Sequence, residues 1–248
     1  MGTLCFNIKA FGVAKGLRLP VYIYGPVKAK SIGTIRILCP VRRRMIVIGT
    51  NYENVASSCT VFYNTGTIEV YGKVYIDYGT AFINKGLVIF RGNNLFGNEC
   101  HIDIRHKLEL GHDTFFGFET HITDSDHHYV VDVNTYRVFP NSAQISIGNY
   151  NWIGSNNFIK KGTVTPDYLI VASPCSMLSK DYSSLPPYTV LAGCPARPVK
   201  QGIRRIYSFK REEMISNFFR SHPDEQFYQI DKDTNLDEFC QLMELEGV

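Results

Sequence analysis

Residues Ile145–Lys180 read ISIGNYNWIGSNNFIKKGTVTPDYLIVASPCSMLSK. Taken in sixes from Ile147, the run divides into IGNYNW, IGSNNF, IKKGTV, TPDYLI, VASPCS and MLSK. The opening letter is aliphatic in five of these six frames, Thr165 being the exception. A period of six fits neither the 3.6-residue turn of a helix nor the two-residue alternation of a simple strand. It is the period of a parallel β-helix built from hexapeptides. Each six supplies one short strand and one corner, with the aliphatic residue pointing inward and a small residue leaving room for the turn. Three sixes close a triangular coil, and coils stack at the ordinary strand spacing of ~4.8 Å.

Directly downstream stands VLAGCPARPVK, Val190–Lys200. With this segment the chain resembles the hexapeptide-repeat acyltransferases, whose coil domain commonly ends in AGNPAK. Here Ala192-Gly193-Cys194-Pro195-Ala196-Arg197 places Cys where the family has Asn, and Arg where it has Lys. The resemblance spans residues 66–200 and is sharpest from His121 onward. It implies an all-β, left-handed parallel β-helix, an acetyl-CoA co-substrate and a homotrimer with active sites between subunits. The left hand comes from the resemblance, since parallel crossovers are ordinarily right-handed.

Upstream, residues 66–104 carry apolar residues at short intervals, and Gly recurs at 66, 72, 79, 86, 92 and 97. This reads as degenerate coils with Gly at the corners, about seven coils in all. The domain reading is an N-terminal β cap or irregular first coils over 1–65, the β-helix over 66–200, and a helical extension over 201–248. Within 1–65, VYIYG, TIRIL and MIVIG read as strands. In the extension, Met214, Ile215, Phe218 and Phe219 form a helical stripe ended by Pro223. A second short helix starts at Asn235, with Glu238 as its capping partner. Its apolar face comprises Leu236, Phe239, Cys240, Leu242 and Met243.

The repeat stops at TDSDHHYVVDVNTYRVFPNS, residues 123–142. An insertion thrown out of a regular solenoid maps to its binding face. Its first residues are Asp124, Ser125, Asp126, His127 and His128. Acetyl transfer to a hydroxyl needs a base for the proton, and histidine suits that task near neutral pH. A carboxylate on the second ring nitrogen fixes the tautomer and stabilises the imidazolium. Similar sugar O-acetyltransferases carry D-S-D-x-H here, which puts the base at His128 and the variable position at His127. Asp126 or Asp124 is the candidate orienter.

The same resemblance places acetyl-CoA along the later coils, against Gly154, Asn156, Gly162, Ala172 and Ser173. Lys161, Arg197 and Lys200 are candidates for its phosphates. Trp152, the sole tryptophan, is either a packing residue or the aromatic that relatives place near the transfer site. The seven histidines do not match the zinc-ligand spacing of gamma-class carbonic anhydrases, which share the coil, so no metal is expected.

Composition bounds the rest. A net charge of +3 does not argue for nucleic acid. No apolar run approaches the ~20 residues of a membrane span, and no signal peptide is evident at the start. Seven cysteines without a CxxC pair argue against a disulfide framework and for a reducing cytoplasm. The expected activity is O-acetylation of a sugar hydroxyl, on a sugar or oligosaccharide acceptor, in polysaccharide or glycolipid biosynthesis. The alternatives are N-acetylation of an amino sugar and a non-catalytic β-helix scaffold.

Overall fold

The computed structural model describes residues 2–50 and 58–240. It divides into two units, Met1–Gly202 and Ile203–Val248. In the first, the chain visits three faces in turn and returns to each by parallel pairing. The first face holds nine strands, from Val21–Ile23 to the antiparallel Arg197–Gln201. The second holds seven, from Val27–Ser31 to Met177–Leu178. The third holds five, from Thr34–Ile37 to Ile145–Ile147, continued by single bridges through Val164 to Asp181. The all-β parallel β-helix expected from the six-residue period is borne out.

Register explains where that period is visible. Early coils step by 20, pairing residue 81 with 101 and 101 with 121. Their four-residue strands turn two side chains inward, as with Ile102 and Ile104 or Leu108 and Leu110. Late coils tighten: Trp152 pairs with Ile170, a step of 18 or three sixes. Inward residues then fall at Ile147, Ile153, Ile159, Thr165 and Val171, all buried. The sixth frame is corrected. Leu178 is fully buried while Met177 is only half-buried. The corner carrying Pro174 holds one residue more than its predecessor, and the frame slips by one.

Parallel coil pairing begins at Val21, and its first rungs are irregular, with register shifts between Ala29 and Ser31 and between Ile48 and Thr50. Ahead of it lies a helix that the sequence reading did not anticipate, α1 (Thr3–Gly16), interrupted by non-helical φ/ψ at Gly12. An open coil end exposes strand edges and core. Helix α1 covers both. The Asn7 amide accepts the Val21 N–H at 2.9 Å and donates to the Val21 carbonyl at 2.7 Å, and Thr3 Oγ1 accepts the Ile23 N–H at 3.0 Å. Phe6 sits edge-on against Phe62 at 5.6 Å, at the head of a file of rings. That file continues through Phe82, Phe90, Phe96 and Phe116 inside the coil.

One carboxyl is held against its chemistry. Burial pushes Asp77 up to about 6, a shift partly offset by the Thr50 hydroxyl bonded to it. A folded pKa above the unfolded one favours the protonated form. The stability this group supports is therefore full below pH ~4 and lost as pH rises through about 6. Asp77→Asn keeps an acceptor for Thr50 and removes the charge. It is expected to stabilise the protein at pH 7 by up to about 3 kcal/mol and to leave it unchanged at pH 4. Thermal melts at the two pH values check this; equal gains at both would refute it.

The second unit carries α2 (Phe209–Ser221), where the Ser208 hydroxyl accepts the Arg211 N–H at 3.3 Å. Phe218 stacks on His222 at 4.5 Å and meets the Tyr228 ring at 4.9 Å. Helix α3 (Leu236–Cys240) is capped by Asn235, which accepts the Asp237 and Glu238 N–H groups at 2.9 and 3.4 Å. Leu242 and Met243 of its expected face lie outside the described residues. Among the described residues, no helix is long and apolar enough to cross a membrane.

Candidate active site

The inserted loop leaves the coil between His121–Thr123 on the second face and Ile145–Ile147 on the third. Its root is rigid. Ser125 bridges Ser142 in antiparallel fashion, and Asp126 N–H donates to the Asn141 carbonyl at 2.8 Å. Beneath, the fully buried Asp124 carboxylate accepts the backbone N–H groups of Arg105, His106 and Lys107 at 2.8, 2.7 and 2.8 Å. The loop beyond is an arm whose strands Val131–Asp132 and Arg137–Val138 pair antiparallel.

The histidines project from this root. His127 takes a left-handed φ of 64° and hangs its N–H on the Ser125 hydroxyl at 3.0 Å. Its Nε2 lies 3.6 Å from Asp103 Oδ2, an ion-pair distance when the ring is protonated. Asp103 is itself held by the Arg105 guanidinium at 3.0 and 3.4 Å. His128 is exposed, and no described residue bonds to it.

The candidate orienters take other partners. Asp124 is an anchor whose oxygens are filled by backbone N–H groups. Asp126 pairs with Lys161 Nζ at 2.6 Å, and that ammonium also donates to the Pro140 carbonyl at 2.9 Å. Among the described residues, neither carboxylate reaches an imidazole, and the carboxylate facing one in this region is Asp103. Asp103 and Arg105 stand two apart on and after a second-face strand, within HIDIR. Outward placement of both follows from strand alternation, but their meeting with His127 depends on where the loop folds back.

The co-substrate candidates divide among three places. Gly154, Asn156, Ala172 and Ser173 share the corner between the first and second faces, on successive rungs. A Cβ on Gly154 would come 2.3 Å from Ser173 Oγ, so the rungs touch there without a side chain between them. Asn156 makes the turn at φ 57°, linked to the rungs on either side by Phe118 O at 2.9 Å and Cys175 N at 2.8 Å. Lys161 and Gly162 sit instead at the root of the loop. Arg197 and Lys200 lie on the exposed final strand, opposite Ala192 and Val190. Trp152 is outward on the first face, in register between Phe115 and Ile170, and 38 % exposed. No group of three or more metal-ligating side chains occurs among the described residues.

No protein-family model matches the chain, and no curated protein matches it. Solved structures similar to it include the polySia-specific acetyltransferase NeuO, at 17% identity over 82% of this chain and 99% of that one, with a TM-score of 0.45. The polysialic acid O-acetyltransferase OatWY is similar at 18% identity, over 88% and 94%, with a TM-score of 0.41. A maltose O-acetyltransferase from Clostridium difficile 630 is similar at 18% identity, over 80% and 81%, with a TM-score of 0.37.

Proposed function

We propose that this chain is an acyltransferase that moves the acetyl group of acetyl-CoA to a sugar hydroxyl in polysaccharide or glycolipid biosynthesis. The observation that carries the reading is the root of the loop. Asp124 pins it to the coil by three N–H bonds, and it presents His128 exposed in the D-S-D-x-H pattern. In this reading His128 takes the hydroxyl proton as the sugar oxygen attacks the thioester carbonyl. The C–S bond then breaks, and the imidazolium returns the proton to the departing CoA thiolate. His127, facing Asp103, holds the turn from which His128 projects. Seven cysteines without a CxxC pair fit a reducing compartment, and the reading places the enzyme in the cytoplasm.

The arm supports an assembly. Tyr129, Val130, Val133, Tyr136, Val138 and Phe139 are each at least half exposed, Tyr136 at 87 %. Apolar groups this concentrated on a monomer mark an interaction surface. The occupant proposed is a second copy of this chain, in a homotrimer whose active sites combine the arm of one subunit with the coil of the next. Light scattering should return about three times 28.2 kDa, and Tyr136→Asp with Phe139→Asp should shift it toward the monomer with loss of activity. A wild-type monomer at micromolar concentration would count against shared sites.

Release of free CoA thiol from acetyl-CoA, screened over nucleotide sugars and oligosaccharides, tests the activity. Turnover confined to amino sugars would move the reading to N-acetylation. No turnover, with no rise in melting temperature on adding acetyl-CoA, would indicate a scaffold. In the transferase, Arg197→Ala with Lys200→Ala is expected to raise KM for acetyl-CoA and leave kcat nearly unchanged. Contacts to the distant phosphates are equal in ground and transition states. Loss of kcat at constant KM would assign these residues elsewhere.

A further inference from the structure

The third face carries a groove of ≈ 470 Å³, lined by Tyr71, Arg91, Glu109, His112, Ser146 and Asn149. The groove is open to solvent rather than enclosed. Its floor is bare backbone. A Cβ on Gly111 would come 2.6 Å from Asn149 N, and one on Gly148 would come 2.4 Å from Pro166 O, so the corner is too tight for side chains.

We propose that this groove is a second carbohydrate subsite, taking an uncharged, hydroxyl-rich sugar unit. That the sugar belongs to the acceptor of the transfer reaction rests on the reading above; the subsite itself does not.

The argument starts at His112. Its Nδ1 lies 2.6 Å from Asp113 Oδ2. Asp113 is buried, and its other oxygen accepts from Asn93 Nδ2 at 3.1 Å. The backbone N–H of His112 donates to Asn149 Oδ1 at 3.0 Å, and its ring stands edge-on to Tyr150 at 4.6 Å. With Nδ1 taken by the carboxylate, Nε2 is the ring atom left to meet a ligand hydroxyl.

Charge inside the groove is paired. Arg91 directs Nε and Nη2 to Glu109 Oε1 at 3.0 and 2.5 Å, and Lys107 Nζ meets Glu109 Oε2 at 3.0 Å. The Asp167 carboxylate beside the groove is held too, accepting the Asn149 backbone N–H and Nδ2 at 2.7 and 3.1 Å. The guanidinium fork that would seize a carboxylate or phosphate is already engaged. What remains is the Tyr71 ring, 37 % exposed, with the Arg91 guanidinium over one face at 4.8 Å and its other face for a ligand, together with fixed acceptors and donors. A pyranose has this same division, with C–H faces for the ring and hydroxyls for His112, Ser146 and Glu109.

The test uses the full chain, with maltotriose and cellotriose as neutral probes and trigalacturonic acid as the anionic one. Saturation-transfer NMR and titration read the binding. A neutral trisaccharide is expected to bind. Tyr71→Ala and His112→Ala are each expected to weaken that binding roughly tenfold, the worth of one good contact, and Tyr71→Phe to retain it. If His112→Ala fails to fold, the surface variants Tyr71→Ala and Tyr71→Phe decide alone. His128→Ala should lower thiol release by about 10²- to 10⁴-fold and leave trisaccharide binding intact, which separates this site from the transfer site. No binding of either neutral probe, tighter binding of the anionic probe, or binding indifferent to Tyr71→Ala would overturn the proposal. A chain that binds the neutral probe here but never releases CoA would keep the subsite and lose the transferase reading.

Discussion

His128→Ala is expected to lower turnover by about 10²- to 10⁴-fold, the usual worth of a general base. Melting temperature and acetyl-CoA affinity should barely move. The side chain is exposed, and no described residue bonds to it. His127→Ala should lose much less and should act through the loop, because its ring faces Asp103 rather than solvent alone. Thiol-release kinetics on both variants check this. If the order reverses, His127 is the base and Asp103 its orienter, and the register taken from D-S-D-x-H is off by one. If both keep more than half the activity, the loop is not the catalytic centre.

Asp124→Ala is expected to be the most disruptive substitution in the loop, and for a different reason. Three backbone N–H groups on the coil beneath lose a charged acceptor. Bonds to a charged partner contribute about 1.5–3 kcal/mol each, less where water can replace them, so a loss of about 2–4 kcal/mol follows. In a chain of this length that is a fall of roughly 5–15 °C in melting temperature. Asp124→Asn should fall between. Oδ2 accepts two of the N–H groups and Oδ1 one, so an amide leaves at least one donor facing a donor. Thermal melts and thiol release together separate the roles. Lost turnover at an unchanged melting temperature would return Asp124 to the part of a histidine orienter.

The coil was legible from Ile147 to Val171 because there one inward residue per face coincides with one letter in six. Steric demand fixes that letter locally: an inward side chain must fill the interior at each rung, and it is aliphatic everywhere in this run but at Thr165. The same physics hides the early coils. With two inward residues per strand and 20 residues per turn, the letters drift against a frame of six. Helix α1 was not legible either. Its apolar residues do not form one stripe, and its helical run is broken at Gly12. What it satisfies, the edge of Val21–Ile23 and the Phe62 ring at the open end of the coil, exists only once the coil is built.

The sequence by itself determined the chemistry within reach: Asp124, Asp126, His127 and His128 at the foot of an insertion, in a solenoid that had to continue on both sides. Tertiary structure decided what each group does. Residues 17–19 apart become neighbours on adjacent rungs, so the Asp124 carboxylate falls on the N–H groups of residues 105–107, and the fold-back of the loop brings His127 to Asp103. Lys161 is drawn to Asp126 and away from the corner of Gly154 and Ser173. His112 and Asp113 adjoin in sequence, but only the next rung supplies Asn149, and only the previous one Asn93, to lock them. Such contacts are set by the length of a coil and the folding-back of an arm, and neither is written in any one stretch of the chain.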